Sequence, residues 1–425
     1  MALGVVEHAR TYKRGRPMRK PLKPQAIIVG GGVGGLTAAI CLQKIGWEVT
    51  VFEQAEQIFE IGAGVQISPN GVKILQEIGV MPLIERALFE PEFIEIRIGK
   101  SGKKLIRMPM KDIAVDRWGA RFIQIHRADL ITALQTRLNK LMPNSIHTNK
   151  KVISYQNLDG AASIRLKNGA VHKADLVIGA DGIHSTIRSQ MMGPDVAHFT
   201  KNIAWRTIVP VDTLGDLAPS PTGCIWTGER KHAVTTRIRG GDLVNFVGIV
   251  EHSELQAEDW NTVGKRADAI NDFRGWNQTI TNLIEKADNL HKWALFDRKP
   301  LNRWHDGHVV LLGDAAHPML PSMAQGAVQS IEDSYILAKS LSNPTTEDIP
   351  SACNKYFLER IKRVNRVQQI SAKNLNLFHK SKRWKQLVHY TPIWLSGKLT
   401  PGLVQKRYDW LYGKEFGRLA EGFKD

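Results

Sequence analysis

QAIIVGGGVGGLTAAI, residues 25–40, is the stretch whose reading decides the fold. Gln25–Val29 is an apolar, β-branched run of strand length, and Gly30-Gly31-Gly32-Val33-Gly34-Gly35 follows it directly. A helical apolar pattern then runs from Leu36 to Ile45. A second strand signal, Trp47 to Phe52, ends at Glu53, twenty-one positions after Gly32. Gly30, Gly32 and Gly35 stand at GxGxxG spacing. Gly30 allows the tight turn, Gly32 lets the backbone approach a pyrophosphate, and Gly35 lets helix and strand pack closely. The phosphate charge then rests on a helix N-terminus, and Glu53 accepts a hydrogen bond from the adenosine ribose. Strand, glycines, helix, strand and acid together predict a Rossmann-type dinucleotide site. The apolar stretch 26–42 is no membrane span, because it is broken by glycines and opens as a strand.

Two further signatures lie downstream. From Lys151 to Ile178 the pattern is one of strands, with turns at Asp159-Gly160 and Asn168-Gly169, and the last strand runs into Asp181-Gly182. A buried strand over 307–313 ends in Gly313-Asp314, and a long helix is expected from Gly326 to Leu341. Glycine motif, Asp181-Gly182 and Gly313-Asp314 in this order point to one flavin held by widely separated parts of a single chain. Between the last two, strands are expected at Ile203–Val211, Cys224–Trp226, Ala233–Ile238 and Leu243–Val250, with a hairpin turn at Gly240-Gly241. Earlier helices are expected at Asp129–Leu141 and, with Asn70 as N-cap, through Val72, Ile74, Leu75 and Ile78.

Composition narrows the class. A chain of 425 residues forms one large or two intimately joined domains. Cys41, Cys224 and Cys353 have no paired spacing, so neither a disulfide framework nor a metal site is implied, and a reducing cytosol fits. No secretory segment is read near the start. The net charge of +17 is uneven: 1–24 holds seven Lys/Arg against one Glu, 352–425 holds sixteen against five acids, and 25–351 is balanced. Basic ends of this kind solvate a surface, and no nucleic-acid partner is expected. Residues 1–24, low in apolar content, are read as a disordered extension, with Met18 as a second candidate start.

With these motifs in hand the chain resembles the class A flavoprotein aromatic hydroxylases, the single-component FAD-dependent monooxygenases. Within them it resembles the branch of salicylate hydroxylase, 3-hydroxybenzoate 6-hydroxylase and 6-hydroxynicotinate 3-monooxygenase. The resemblance spans about Gln25 to Leu341, with a fainter echo at Tyr408-Asp409-Trp410-Leu411-Tyr412-Gly413. Its most specific parts are 175–188, DLVIGADGIHSTIR, and 312–326, LGDAAHPMLPSMAQG; 125–130, IHRADL, also fits. It implies an α/β fold: a Rossmann-type FAD-binding domain from 25–185 and 300–345, an inserted sheet-rich substrate domain over 186–299, and a C-terminal helical region over 346–425.

The resemblance also implies roles. FAD is tightly bound, by Gly30, Gly32, Gly35 and Glu53 and, through the family motifs, by Arg127, Asp181, Gly182, Arg188, Gly313 and Asp314. Asp314 takes the ribityl chain, a hydroxyl-rich target for an acceptor-only side chain. The helix opening at Gly326 and Ala327 stabilises negative charge on the reduced ring. With one fingerprint only, NADH or NADPH docks transiently on a shared surface, and Gly62 and Gly64 let the backbone sit close to a mobile flavin. The expected chemistry is reduction of FAD by NAD(P)H, addition of O₂ to give a C4a-hydroperoxide, and oxygen transfer to a small aromatic substrate, such as a hydroxylated acid like salicylate.

For the catalytic side the expected residues are His317 as the phenol's base, Pro318 in the cavity wall, and Trp205 and Arg206 on the strand 203–211. Trp205 and Arg206 point to opposite sheet faces, so only one looks into the cavity. Trp205 would wall an aromatic site; Arg206 would grip a carboxylate or the flavin. Arg237 and Arg239 are further carboxylate candidates. Hydroxynicotinate hydroxylases carry a histidine where Trp205 stands, which argues against that substrate. A second reading is oxygenation of a larger non-phenolic ring, a terpenoid or quinone precursor, with Trp384, Tyr390, Trp394, Tyr408 and Trp410 touching a membrane surface instead of covering the FAD domain. A third is a non-catalytic Rossmann scaffold, against which the intact Gly313-Asp314 and His317-Pro318 stand. Monomer and homodimer both stay open.

Overall fold

The computed structural model describes residues 23–58, 64–193, 197–252, 263–342, 348–379 and 401–419. The basic extension before residue 23, Met18, Gly62, and Trp384, Tyr390 and Trp394 lie outside the described residues.

Gln25–Val29 pairs in parallel with Glu48–Phe52 on one side and Leu176–Gly179 on the other. Val309–Leu311 adds beyond Leu176–Gly179, and Ile146–His147 adds beyond Glu48–Phe52. The short antiparallel strand His305–Asp306 closes one edge. The inner strands are buried along almost their whole length, as parallel strands covered on both faces must be. The helices Val33–Lys44, Arg127–Leu141 and Gly326–Ser340 pack on this body, and the antiparallel sheet of Val152–Leu158, Ala161–Leu166 and Val171–Ala174 joins the same core. One expected boundary moves. Ser68 rather than Asn70 is the N-cap of the helix Pro69–Glu77, because Pro69 sets the first helical turn. Asn70 is instead drawn inside, where its amide bonds Glu332 at 2.6 Å.

The second layer is a seven-stranded sheet in the order His291–Asp297, His198–Pro210, Leu243–Glu251, Lys231–Ile238, Gly223–Gly228, Phe93–Ile98, Lys104–Pro109. Two of its strands come from before residue 186: Phe93–Ile98 docks in parallel on Gly223–Gly228 and carries Lys104–Pro109 with it. One face of this sheet packs under the helices Arg266–Asp272 and Gln278–Glu285 in a core that includes Trp205, Trp226, Phe246, Phe273 and Trp276. The opposite face meets Leu320 and the 30-residue helix Ile349–Phe378 through Ala204, Ile249, Trp293, Leu295 and Leu375.

That long helix and the segment after residue 401 cover the nucleotide-binding body. Tyr412 sits edge-on to Trp118, Asp409 takes hydrogen bonds from Arg117 and from the Trp118 indole, and Arg366 stacks on Trp410. Among the described residues no helix is long and apolar enough to cross a membrane. Cys41, Cys224 and Cys353 are free and buried.

Candidate cofactor and substrate site

A cavity of about 340 Å³ opens where the three signatures converge, lined by Gly30, Gly32, Glu53, Arg127, Asp181, Gly182, Gly313, Asp314, Gly326 and Ala327. The motif glycines divide their work. Gly30 has φ +108°, and a Cβ on it would lie 2.3 Å from the Ala180 carbonyl oxygen; one on Gly35 would lie 2.0 Å from the Gly30 oxygen. A Cβ on Gly32 would meet nothing within 4 Å. Gly30 and Gly35 thus let chain segments touch, whereas Gly32 faces open space. Gly35 itself is buried behind the cavity wall.

The acids frame the cavity. Glu53 accepts from the Gly31 amide at 2.7 Å and the Ala55 amide at 2.8 Å, which fixes its carboxylate at the end of the second strand. Asp181 caps the helix Thr186–Met192, accepting from the Thr186 amide at 2.7 Å, the Ile187 amide at 3.2 Å and the Ser185 hydroxyl at 2.6 Å. Burial raises its carboxyl above the usual range, and these bonds oppose the rise. Asp314 is exposed and projects from its turn into the cavity, where Arg127, His317 and Arg188 favour its charged form. Two helices present their first turn here, Val33–Lys44 and Gly326–Ser340, and neither has a side-chain cap on its N-terminus. Lys150 and Lys151 also line the cavity, unmarked by any sequence signal. They arrive because the Asn149 and Lys150 amides bond the Ala55 and Glu53 carbonyls.

Arg188 is not a wall residue. It is 2 % exposed and donates to the carbonyls of Asp314 and Ala315 at 3.3 Å each and of Ile183 at 2.6 Å. It grips the Gly313-Asp314 turn from behind. The other clamp on that turn went unread in the sequence. Asp333 accepts from the Gly313 amide at 3.0 Å, lies 2.5 Å from Nε2 of His317, and pairs with Nε of Arg360 at 2.7 Å. Arg360 also pairs with Glu332, which holds Asn70 and Arg363, and Arg363 donates to the carbonyls of Trp410 and Leu411. Burial alone would raise the carboxyls of Glu332 and Asp333. Arg360 and Arg363 hold Glu332 below the usual range, and His317 and Arg360 do so for Asp333. All these charges are paired, the condition for burying them.

This corrects the expectation for His317. It is 2 % exposed, its ring packs on Trp304 with centroids 4.9 Å apart, and Asp333 occupies Nε2. An imidazole enclosed in this way has no path to a substrate hydroxyl. Pro318 is likewise buried off the cavity, its carbonyl accepting from Gln368 at 2.9 Å. Trp205 is corrected too. It is fully buried on the helix-covered face, with Nε1 donating to Asp272 at 2.8 Å, so it walls no cavity. Arg206, on the opposite face, lies over Trp293 at 4.2 Å from the ring centroid. Arg237 donates to the carbonyls of Pro219 and Gly241, and Arg239 pairs with Asp129, so both have structural work.

The donors and acceptors around the cavity suit FAD. Uncapped helix N-termini beside Gly32 match a diphosphate, and carboxylates at Glu53 and Asp314 match the two hydroxyl-bearing arms on either side of it. Comparison with known proteins agrees. Residues 23–371 match the model of the FAD-binding-domain family. The chain is 33 % identical over 393 residues to a 3-amino-4-hydroxybenzoate 2-monooxygenase of Streptomyces platensis, covering 92 % of this chain and 96 % of that one. It is 32 % identical over 354 residues to a 6-hydroxynicotinate 3-monooxygenase of Bordetella bronchiseptica, covering 83 % and 91 %. Its fold superposes with a TM-score of 0.79 on Klebsiella pneumoniae HpxO solved with FAD and uric acid, at 26 % identity over 90 % of this chain and 96 % of that one.

Proposed function

This chain belongs to the FAD-binding-domain family and is an FAD-dependent aromatic hydroxylase, and we propose that it hydroxylates a small hydroxylated aromatic acid, using NAD(P)H and O₂. The observation that carries the reading is one cavity fed by all three signatures, beside a second sheet whose face opposite the helices Arg266–Asp272 and Gln278–Glu285 meets Leu320, six residues past Asp314. FAD, when bound, supplies electron transfer and oxygen activation.

The chain's own residues do the rest. The N-terminus of Val33–Lys44, reached past Gly32, would hold the diphosphate. Glu53 would accept from the ribose, and Asp314 would accept from the ribityl hydroxyls. The first turn of Gly326–Ser340 would present partial positive charge to the flavin ring, a field that favours its reduced, more negative form. Arg188 and Asp333 hold the Gly313-Asp314 turn from behind. Because His317 is enclosed, deprotonation of the substrate hydroxyl falls to solvent or to a group outside this network.

The test is NAD(P)H oxidation by FAD-loaded protein against a panel of hydroxybenzoates, aminohydroxybenzoates and hydroxynicotinates, with NADH and NADPH each tried. Stimulation by one of these acids, with hydroxylated product and little peroxide, supports the reading. A flavin-replete protein indifferent to every acid would refute the substrate class.

A further inference from the structure

The helix Gly326–Ser340 serves two places at once. Its first residues, Gly326 and Ala327, line the cofactor cavity. Further along, Glu332 takes Arg363, Tyr335 donates to the Gly417 carbonyl at 2.5 Å, and Lys339 donates to the Phe416 carbonyl at 2.8 Å, so the same helix carries the segment 409–419. Arg363 joins the two. Its Nε and Nη2 donate to the Glu332 carboxylate at 2.8 and 2.7 Å, while Nη1 and Nη2 donate to the Trp410 and Leu411 carbonyls at 2.6 and 2.7 Å. From Glu332 the bonds run inward along two branches. One passes through Arg360 to Asp333, which accepts from the Gly313 amide at 3.0 Å, beside Asp314. The other passes from Asn70 to the Ser68 hydroxyl at 2.6 Å and on to Gln325 at 2.8 Å, the residue directly before Gly326. Gln329 ties the branches together, donating to Gln325 at 3.1 Å and accepting from Arg360 at 2.7 Å. Every member inside Arg363 is at most 2 % exposed, so a bond broken here is not replaced by water and its neighbours shift with it.

We propose that docking of the segment 409–419 and binding of FAD are coupled through this relay, with Arg363 as the positioning residue that transmits the coupling. Among the described residues none of 409–419 lines the cavity, so direct contact with the cofactor is not the route. When the segment lifts, the Trp410 and Leu411 carbonyls leave Arg363, and the branches that set Gln325 and the Gly313 amide lose their fixed outer end. The helix N-terminus and the Asp314 turn are the two places those branches hold, and both face the cofactor. FAD therefore binds the docked form more tightly, and reciprocity requires that FAD hold the segment down by the same factor. Arginine suits the joint because its planar fork offers one edge to a carboxylate and another to backbone carbonyls, whereas an ammonium offers a single point. The coupling also gives a role to 408–413, YDWLYG, which the cofactor site itself leaves unused.

The amides of Leu411, Tyr412 and Gly413 report docking, because they are bonded to the Tyr408 and Asp409 carbonyls at 2.8–2.9 Å. Their hydrogen exchange is followed by mass spectrometry in the full chain with and without FAD. In the wild type FAD should slow it about 5-fold or more, with the helix Gln278–Glu285 of the other core unchanged. Arg363→Lys keeps a charge beside Glu332 and loses the fork; it should cut the slowing to less than about 2-fold and raise the FAD dissociation constant about 5-fold. Arg117→Met removes the pair with Asp409 on the outer side of the segment. There exchange should quicken with and without FAD, the slowing by FAD should persist, and FAD affinity should stay unchanged. Wild-type exchange indifferent to FAD, or a full FAD effect in Arg363→Lys, would overturn the coupling. Equal slowing in Gln278–Glu285 would also overturn it, since FAD would then only oppose global unfolding. A wild type that takes up no FAD would remove the cofactor assignment itself, a separate outcome, and the coupling with it.

Discussion

Two glycines of one motif should fail in opposite ways when given a methyl group. In Gly35→Ala the new Cβ would sit 2.0 Å from the Gly30 carbonyl oxygen, whereas real Cβ atoms essentially never come within 3.0 Å. The helix Val33–Lys44 would have to withdraw by about 1 Å from the strand it packs on, an overpacking cost near the upper end of the usual range, about 3 kcal/mol. With an unfolding entropy of about 2.1 cal/mol/K per residue, 425 residues give about 0.9 kcal/mol per degree, so the apoprotein Tm should drop by about 3 °C if the chain unfolds as one unit. In Gly32→Ala the Cβ meets nothing within 4 Å and the backbone φ is −73°, so the apoprotein Tm should move by less than about 1 °C. That methyl group nevertheless occupies the space in front of the helix N-terminus, and FAD affinity should fall at least about 10-fold, or 1.4 kcal/mol. Calorimetry of the flavin-free proteins and fluorescence titration with FAD separate the two. If Gly32→Ala destabilises the apoprotein as much as Gly35→Ala, the division of labour between packing and ligand glycines is wrong.

Further expectations follow from the same geometry. Asp333→Asn should weaken FAD binding about 10-fold, because it loosens the Gly313-Asp314 turn; Tyr335→Phe, two residues along the same helix, only loses a bond to the Gly417 carbonyl and should leave FAD affinity unchanged in the same titration. Trp205→Phe forfeits the bond to Asp272 and should cost about 1–2 kcal/mol in stability, with the substrate dissociation constant unaltered; a lost substrate affinity would return Trp205 to the site. The buried pair His232 and His379, 2.7 Å apart, should make the protein acid-sensitive. Burial holds both imidazoles below their ordinary value, with Glu251 opposing this for His379 while Arg230 pairs with the same carboxylate. Both are neutral in the folded chain and take up protons on unfolding. Their stability is therefore complete above about pH 6.5 and lost as pH falls below it, so Tm should decline from pH 7 to 5 and decline less in His379→Gln.

The cofactor half of the molecule was legible because its constraints are local. A turn that must touch Ala180, a helix that must touch Gly30 and an acid at the end of the next strand each leave a residue type at a fixed spacing. The substrate half was not. Period-two alternation said that Trp205 and Arg206 face opposite ways, but only the helices Arg266–Asp272 and Gln278–Glu285 settle which face is covered. Nothing in 93–98 announces that it will pair with a strand 129 residues later. Glu332, Asp333 and Arg360 read as charges on ordinary helix faces, and they become a buried relay only when the helices Gly326–Ser340 and Ile349–Phe378 meet. His317 was misplaced for the same reason: its neighbours in sequence are those of a cofactor site, but its partner is the buried Asp333, sixteen residues on.

The most direct test of the whole account is turnover under ¹⁸O₂ with the acid that best stimulates NAD(P)H oxidation, followed by mass spectrometry of the product. The account predicts one labelled oxygen per hydroxylated product and none taken from water. A product carrying only water-derived oxygen, or NAD(P)H consumed with the acid recovered unchanged and peroxide in full yield, would contradict it.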